Sequence, residues 1–187
     1  MPEARAVRAD VARNRKAIVA AARAAFERGE FDRRFDDFAA LSGVGVGTLY
    51  RHFPTRDALA EAVYREEITA LYERAYELLA ALPPAEALTV FLQDFISRLA
   101  EQSGLARTLA TLMRNRSELQ ADGGHTLEAA VAELIAAAVL AGALEPAVTS
   151  GVVMTALHGI GSTYGQPHWR SDAETLIALL VGPKASR

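Results

Sequence analysis

The residues best placed to do chemistry in this chain lie in one short run, Phe35 to Phe53, FDDFAALSGVGVGTLYRHF. Gly45 and Gly47 leave the backbone around Val46 nearly bare, and Thr48, Tyr50, Arg51 and His52 follow at once. Uncovered backbone beside hydroxyls and cations suits an anion or the edge of a base. If a helix starts at about Gly45, its free N–H groups and positive dipole end add to that attraction. Tyr50 alone reads as a half-buried aromatic, but with Gly47, Thr48 and His52 beside it a phosphate contact is favoured. His52, neutral or positive near pH 7, suits a phosphate or a helix cap.

Other chemistries lack their groups. The 187 residues contain no cysteine, which excludes a disulfide scaffold, thiolate metal ligation and cysteine catalysis. The four histidines, at 52, 125, 158 and 168, are too scattered for a metal cluster. No phosphate-binding glycine loop, HExxH or EF-hand pattern occurs. His158 with Asp172 or Glu174 is the one conceivable acid–base pair, and neither a nucleophile elbow nor a paired-carboxylate motif accompanies it. A structural role is the stronger reading for these residues. The expectation is a protein that is not an enzyme, with no metal and no cofactor.

An all-α fold must position the Phe35–Phe53 run. Prolines are absent between 3 and 53, between 55 and 82 and between 85 and 145. Apolar residues recur at helical rather than strand spacing. Ile18, Ala21, Ala22, Ala25 and Phe26 mark a first helix that Gly29 closes. Phe35, Phe38, Ala39 and Leu41 fit a short helix, Gly43 a turn, and Leu49 and Phe53 the inward face of a second short helix. Two short helices joined by a glycine turn make a helix-turn-helix, whose second member must be slim to enter a groove about 12 Å wide. After Phe53-Pro54, Thr55 caps a long helix that runs to about Pro83 and Pro84, with Asp57 in its first turn. Further helices carry Leu88 to Leu99, Leu105 to about Met113, Leu127 to Ala138 and Val148 to Ile160. Asp122, Gly123 and Gly124 read as a loop, and Gly142 as a helix end. Ser171 and Glu174 read as a capping box opening the last helix, with a frayed tail from Gly182.

Charge divides along the same line. Residues 1–56 carry eleven Lys/Arg against seven Asp/Glu, and the remainder nine against sixteen. A basic head on an acidic body points to a polyanion as the head's partner. Arg5, Arg8 and Arg13 read as a solvated, mobile arm that strengthens such binding nonspecifically.

GVGVGTLYRHFPTRDAL, Gly43 to Leu59, resembles the signature of the tetracycline-repressor (TetR) family. The likeness continues upstream through RKAIVAAARAAFERGEF and covers about residues 11–65. GALEPAVTS and QPHWRSDAETLIALL resemble C-terminal domains of actinobacterial-type members. The resemblance implies a three-helix helix-turn-helix DNA-binding domain over 1–56 and a helical effector-binding and dimerisation domain over 57–187. It places Val46, Gly47 and Thr48 at base edges. It gives Tyr50, His52 and Arg56 to phosphates, and Arg51 to a groove or phosphate contact. Gly45 stands where the family often has Ser or Thr, so a side-chain cap and a phosphate contact are missing. Arg33 and Arg34 stand near a usual Thr and offer their own phosphate contacts.

In the body, Phe91, Phe95, Met113, Met154, His158, Tyr164 and Trp169 are candidates for an apolar effector pocket, each weighed against a plain core role. Tyr72, Tyr76, His125 and Arg114 would add polarity there. Residues 146–169 contain no charge, yet Pro146, His158, Gln166, Pro167 and other polar groups make the stretch too broken to span a membrane. A helix apolar on more than one face is buried instead, within the chain or against a second copy. The resulting expectation is a cytoplasmic homodimeric transcriptional regulator. It would repress from a pseudo-palindromic double-stranded DNA operator, release it on binding a small-molecule effector, and have no membrane partner. A ligand-binding protein or enzyme with a relic head would turn over substrate without DNA affinity. An architectural protein would bind DNA regardless of sequence.

Overall fold

The structure, a computed structural model, describes residues 2–101 and 117–182, and among these every regular element is a helix. In chain order they are α1 (Pro2–Glu27), α2 (Asp37–Ser42), α3 (Val46–His52), α4 (Arg56–Ala81), α5 (Pro84–Glu101), α6 (Ser117–Leu140), α7 (Ser150–Ser162) and α8 (Trp169–Val181). They divide between two compact units. The first holds α1 to α3 and the start of α4 through Glu67. The second holds α4 from Ile68, α5 and, from Ala121, α6, α7 and α8.

The first unit is built on a compact aromatic core. Ile18, Val19, Ala22, Ala25 and Phe26 line one stripe of α1 and share a core with Phe38 and Ala39 of α2, Leu49 of α3, Phe53, and Leu59, Ala60, Ala62 and Val63 of α4. Phe26 packs edge-on to Phe38 at 5.9 Å between ring centres and against Phe31 at 5.4 Å. Each fully buried side chain of this size contributes about 1.5–3 kcal/mol. Proline at the first position of α1 costs nothing, because no N–H is needed there. The turn between α2 and α3 depends on Gly43, at φ +70. Its N–H reaches the Ala40 carbonyl and the Val44 N–H the Ala39 carbonyl, satisfying the open end of α2. Gly29 closes α1 with the same pair of bonds. Phe53, extended before Pro54, ends α3. Thr55 then caps α4, its Oγ1 accepting from the Ala58 N–H at 3.1 Å.

In the second unit, Leu88, Phe91, Leu92 and Ile96 of α5 share one core with Leu127, Ala130, Val131, Leu134, Ile135 and Ala138 of α6. Val153, Leu157 and Ile160 of α7 and Ala173 and Ile177 of α8 complete this core with Ala75 and Leu78 of α4. Thr149 caps α7 by accepting from the Val152 N–H at 3.3 Å.

Several expectations need correction. Asp122, Gly123 and Gly124 are not a loop: α6 begins at Ser117 and runs through them. Glycine costs a helix only about 1 kcal/mol per residue, less than the buried stripe that follows returns. The capping box at Ser171 and Glu174 does not form. Here the cap falls three residues earlier: His168 at φ +66 supplies the cap carbonyl to the Asp172 N–H, Ser171 donates back to that carbonyl, and Glu174 pairs with Arg170. Residues 5 to 13 are part of α1 rather than an arm, and Arg13 is exposed and paired with Asp10. Leu41, expected on the apolar face of α2, is 45% exposed. Only one face of α7 is buried within the chain; Val152, Thr155, His158, Gly159 and Ser162 are exposed. Among the described residues no helix is long and apolar enough to cross a membrane. The helical piece expected from Leu105 to Met113 lies outside the described residues.

A Cβ at Gly43 or Gly45 would meet nothing within 4 Å, so backbone conformation alone separates the two positions. Gly43→Val should lower stability by about 1–2 kcal/mol in urea unfolding. Gly45→Ser, at an ordinary φ of −72, should change it by only about a few tenths of a kcal/mol. Equal losses at the two sites would contradict the turn geometry.

Candidate nucleic-acid interface

Helix α3 has seven residues and therefore only two faces to allot. Leu49 is fully buried and Phe53 nearly so, both in the aromatic core. At about 100° per residue Gly47 and Arg51 fall opposite Leu49, Tyr50 lies on the flank, and Val46 stands one turn before Leu49 at the open first position of the helix. All four are exposed, Val46 by 45% and Tyr50 by 46%. Thr48 and His52 lie at the margins of that face, half-buried. Gly45 precedes the helix in extended conformation and no side chain caps it, while its carbonyl takes the Thr48 and Leu49 N–H groups. The exposed surface is a narrow ridge: one branched apolar group, one bare glycine, a phenol and a guanidinium.

Tyr50 is already engaged. Its hydroxyl donates to Asp36 Oδ1 at 3.0 Å, and its ring stands edge-on to Phe35 at 5.2 Å. Chiefly through that hydrogen bond, Asp36 raises the phenol above its ordinary pKa, so the proton stays on Tyr50.

The arginines divide into two sets. Arg33 bonds Glu30, with Nε at 3.0 Å from Oε2. Arg28 grips the same carboxylate at 2.9 Å. Hydrogen bonds from Arg28 and then Arg33 pull the Glu30 carboxyl down to about 2. Arg56 donates to the Arg33 carbonyl and lies over the Phe31 ring, 5.2 Å from its centre. It latches the segment before α2 to the start of α4. Arg15 covers Phe53 at 4.7 Å, and Arg23 pairs with Glu67 at 2.5 Å. Arg34 and Arg51 are both exposed and, among the described residues, without an ion pair.

The ridge thus brings together Val46, Gly47, Thr48, Tyr50, Arg51 and His52, with Gly45 at its head. Arg33 and Arg56 lie behind it in internal contacts. Sequence reasoning missed the Arg56 latch and the Asp36–Tyr50 bond. The Glu30–Arg33 pair had a signal in its i,i+3 spacing. Asp36 and Tyr50 are fourteen positions apart, and only the glycine turn brings them together.

In the second unit Phe91 is enclosed in the core, and Phe95, Met154 and Trp169 pack against it, half-buried. Tyr164 tilts against Trp169 at 5.0 Å. His158 is exposed, with Nδ1 2.8 Å from the Met154 carbonyl, and forms no ion pair with Asp172 or Glu174. The Tyr72 and Tyr76 hydroxyls are 3.1 Å apart. Met113 and Arg114 lie outside the described residues. Among those described, no three His, Asp or Glu side chains are grouped to hold a metal ion.

Residues 18–63 match the model of bacterial regulatory proteins of the tetR family, and residues 83–182 that of the C-terminal domain of SbtR-like transcriptional regulators. The crystal structure of a TetR transcriptional regulator from Streptomyces coelicolor is 37% identical, with a TM-score of 0.71, covering 91% of this chain and 99% of that one. A TetR transcription regulatory protein from Mycobacterium vanbaalenii is 31% identical, also at 0.71, covering 94% and 99%. An HTH-type transcriptional regulator of Staphylococcus aureus is 30% identical over 94 residues, or 48% of this chain. The match takes in 49% of that protein, so this chain spans about half the length of the curated relative it matches.

Glu30 offers a direct check on the arginine pairing. Its folded pKa lies below the ordinary carboxyl value, so the pair's stabilisation is complete above about 4.5 and is lost as pH falls towards about 2. Carboxyl-carbon NMR should find Glu30 still ionised at pH between those values, with Glu30→Gln identifying the signal. A midpoint near 4.5 would show that Arg28 and Arg33 are free in solution.

Proposed function

The chain belongs to the TetR family of bacterial transcriptional regulators and is a DNA-binding protein, and we propose that it is an effector-released repressor that reads DNA with the exposed ridge of α3. The observation that carries the reading is the burial of Leu49 and Phe53 against the exposure of Val46, Gly47, Tyr50 and Arg51. Gly47 keeps the ridge slim enough for the major groove. The Val46 methyls and the Thr48 methyl and hydroxyl suit a thymine methyl or base acceptors. Tyr50, Arg51, His52 and Arg34 take phosphates, which position the ridge without reading sequence. Gly45 lets the backbone approach closely. Arg33 and Arg56 support the interface from behind by fixing the segment that carries Arg34.

The protein acts as a homodimer in the cytoplasm, without catalysis and without a membrane partner. Helix α7 lies in the uncharged stretch 146–169, and Val152 and Leu179 are 43% and 78% exposed within one chain. A second copy covering α7 and α8, with α6 contributing, would remove that surface from water. Two heads then meet half-sites about 34–36 Å apart on a pseudo-palindrome. An apolar small molecule taken up among Phe95, Met154, His158, Tyr164 and Trp169, with Phe91 beneath, would favour a body state in which the heads are wrongly spaced. Operator affinity falls by the effector's preference for that state. Helix α4 joins the two units and is the natural lever.

Selection of bound sites from a random duplex pool tests the reading. It should recover a two-fold symmetric sequence with half-sites one helical turn apart, and recovery of no common sequence would overturn specific regulation. Thr48→Ala should alter the bases selected more than it alters nonspecific affinity. Arg51→Ala should weaken binding to all sequences alike and lower the salt slope by about one. An unchanged selection profile or an unchanged slope, respectively, would remove that residue from its role.

A further inference from the structure

We propose that Asp36 competes with the DNA backbone for the Tyr50 hydroxyl and thereby holds down the protein's affinity for all DNA. The inference rests on the reading that Tyr50 meets a phosphate. A phenol has one proton to donate, and Tyr50 gives it to Asp36 Oδ1 at 3.0 Å. A phosphate diester oxygen only accepts, so Tyr50 must release Asp36 before it can donate to DNA. The Phe35 ring, edge-on at 5.2 Å, holds the tyrosine in the Asp36-bound position.

Charge sets the sign of the effect. Among the described residues Asp36 has no cationic partner: Glu30 holds the nearby Arg33, and Arg56 is turned to the Arg33 carbonyl. Its negative charge therefore sits one hydroxyl away from the phosphate that Tyr50 would reach. That separation is shorter than the screening length of about 10 Å in 0.1 M salt, so the repulsion reaches the phosphate. A residue that merely positioned Tyr50 would strengthen DNA binding. A competing carboxylate weakens it, and does so for every sequence, because the phosphate carries no base identity.

The test measures binding of the full chain to a duplex selected from the random pool and to an unrelated duplex. The variants are Asp36→Asn, Asp36→Ala, Tyr50→Phe and the two double variants. Asp36→Asn keeps the shape of the side chain, and unchanged thermal unfolding of each variant confirms an intact fold. Both Asp36 variants should tighten binding to both duplexes about three- to tenfold at low salt, with the gain shrinking as salt rises. Tyr50→Phe should cost more in the Asp36→Ala background, where the hydroxyl is free for phosphate, than in the unaltered chain. Weaker binding by both Asp36 variants would overturn competition in favour of positioning. An equal Tyr50→Phe loss in both backgrounds would leave Tyr50 on a phosphate and overturn the role of Asp36. No Tyr50→Phe loss in either background would overturn both.

Discussion

The orientation of α3 depends on one buried leucine. Leu49 is fully buried in the core that holds Phe26, Phe38 and Phe53, and its burial contributes about 1.5–3 kcal/mol. A seven-residue helix anchored at that point leaves Gly47 and Arg51 on the far side, with Tyr50 on the flank and Val46 uncovered at the first position. The exposure of Gly47, Tyr50 and Arg51 follows from that rotation. Gly43 gives the chain its reversal before the helix, and Phe53-Pro54 stops it before α4 begins. The ridge is rigid at its base and bare at its tip, which suits a rod pressed into a groove.

Charge works on a finer scale than the head's net excess implies. Arg28 and Arg33 share Glu30, Arg23 meets Glu67, Arg13 meets Asp10, and Arg56 serves a carbonyl and an aromatic face. These contacts are exposed or half-buried and individually weak, about 0–1 kcal/mol each. Their larger effect is to decide which cations remain available. Arg34 and Arg51 are thereby left exposed and, among the described residues, without an ion pair.

The helix-turn-helix was legible because its determinants are local. A glycine at the turn, apolar residues at 49 and 53, a threonine cap at 55 and small residues at the helix tip are set by short-range geometry. The buried stripes of α5 and α6 were legible for the same reason, since helical periodicity reports burial directly. Element starts were less so. Gly123 and Gly124 have the composition of a loop, but propensity is a weak prior where a helix extends from a packed stripe. Ser171 and Glu174 have the spacing of a capping box, yet His168 supplies the cap carbonyl and places Ser171 inside the helix. The contacts of Asp36 and Arg56 span fourteen and twenty-three positions and exist only once the head has folded. In α7, the uncharged sequence was compatible with burial in the chain or against a second copy. Within the chain only the face of Val153, Leu157 and Ile160 is buried.

The central claim is that the Val46–Arg51 ridge occupies the major groove. Methylation protection on a selected duplex tests it most directly, because dimethyl sulfate attacks guanine N7 in the major groove and adenine N3 in the minor groove. The account predicts that the bound protein shields guanine N7 within both half-sites and leaves adenine N3 there reactive. Shielding of adenine N3 alone, with guanine N7 fully reactive, would mean that some other surface carries the DNA.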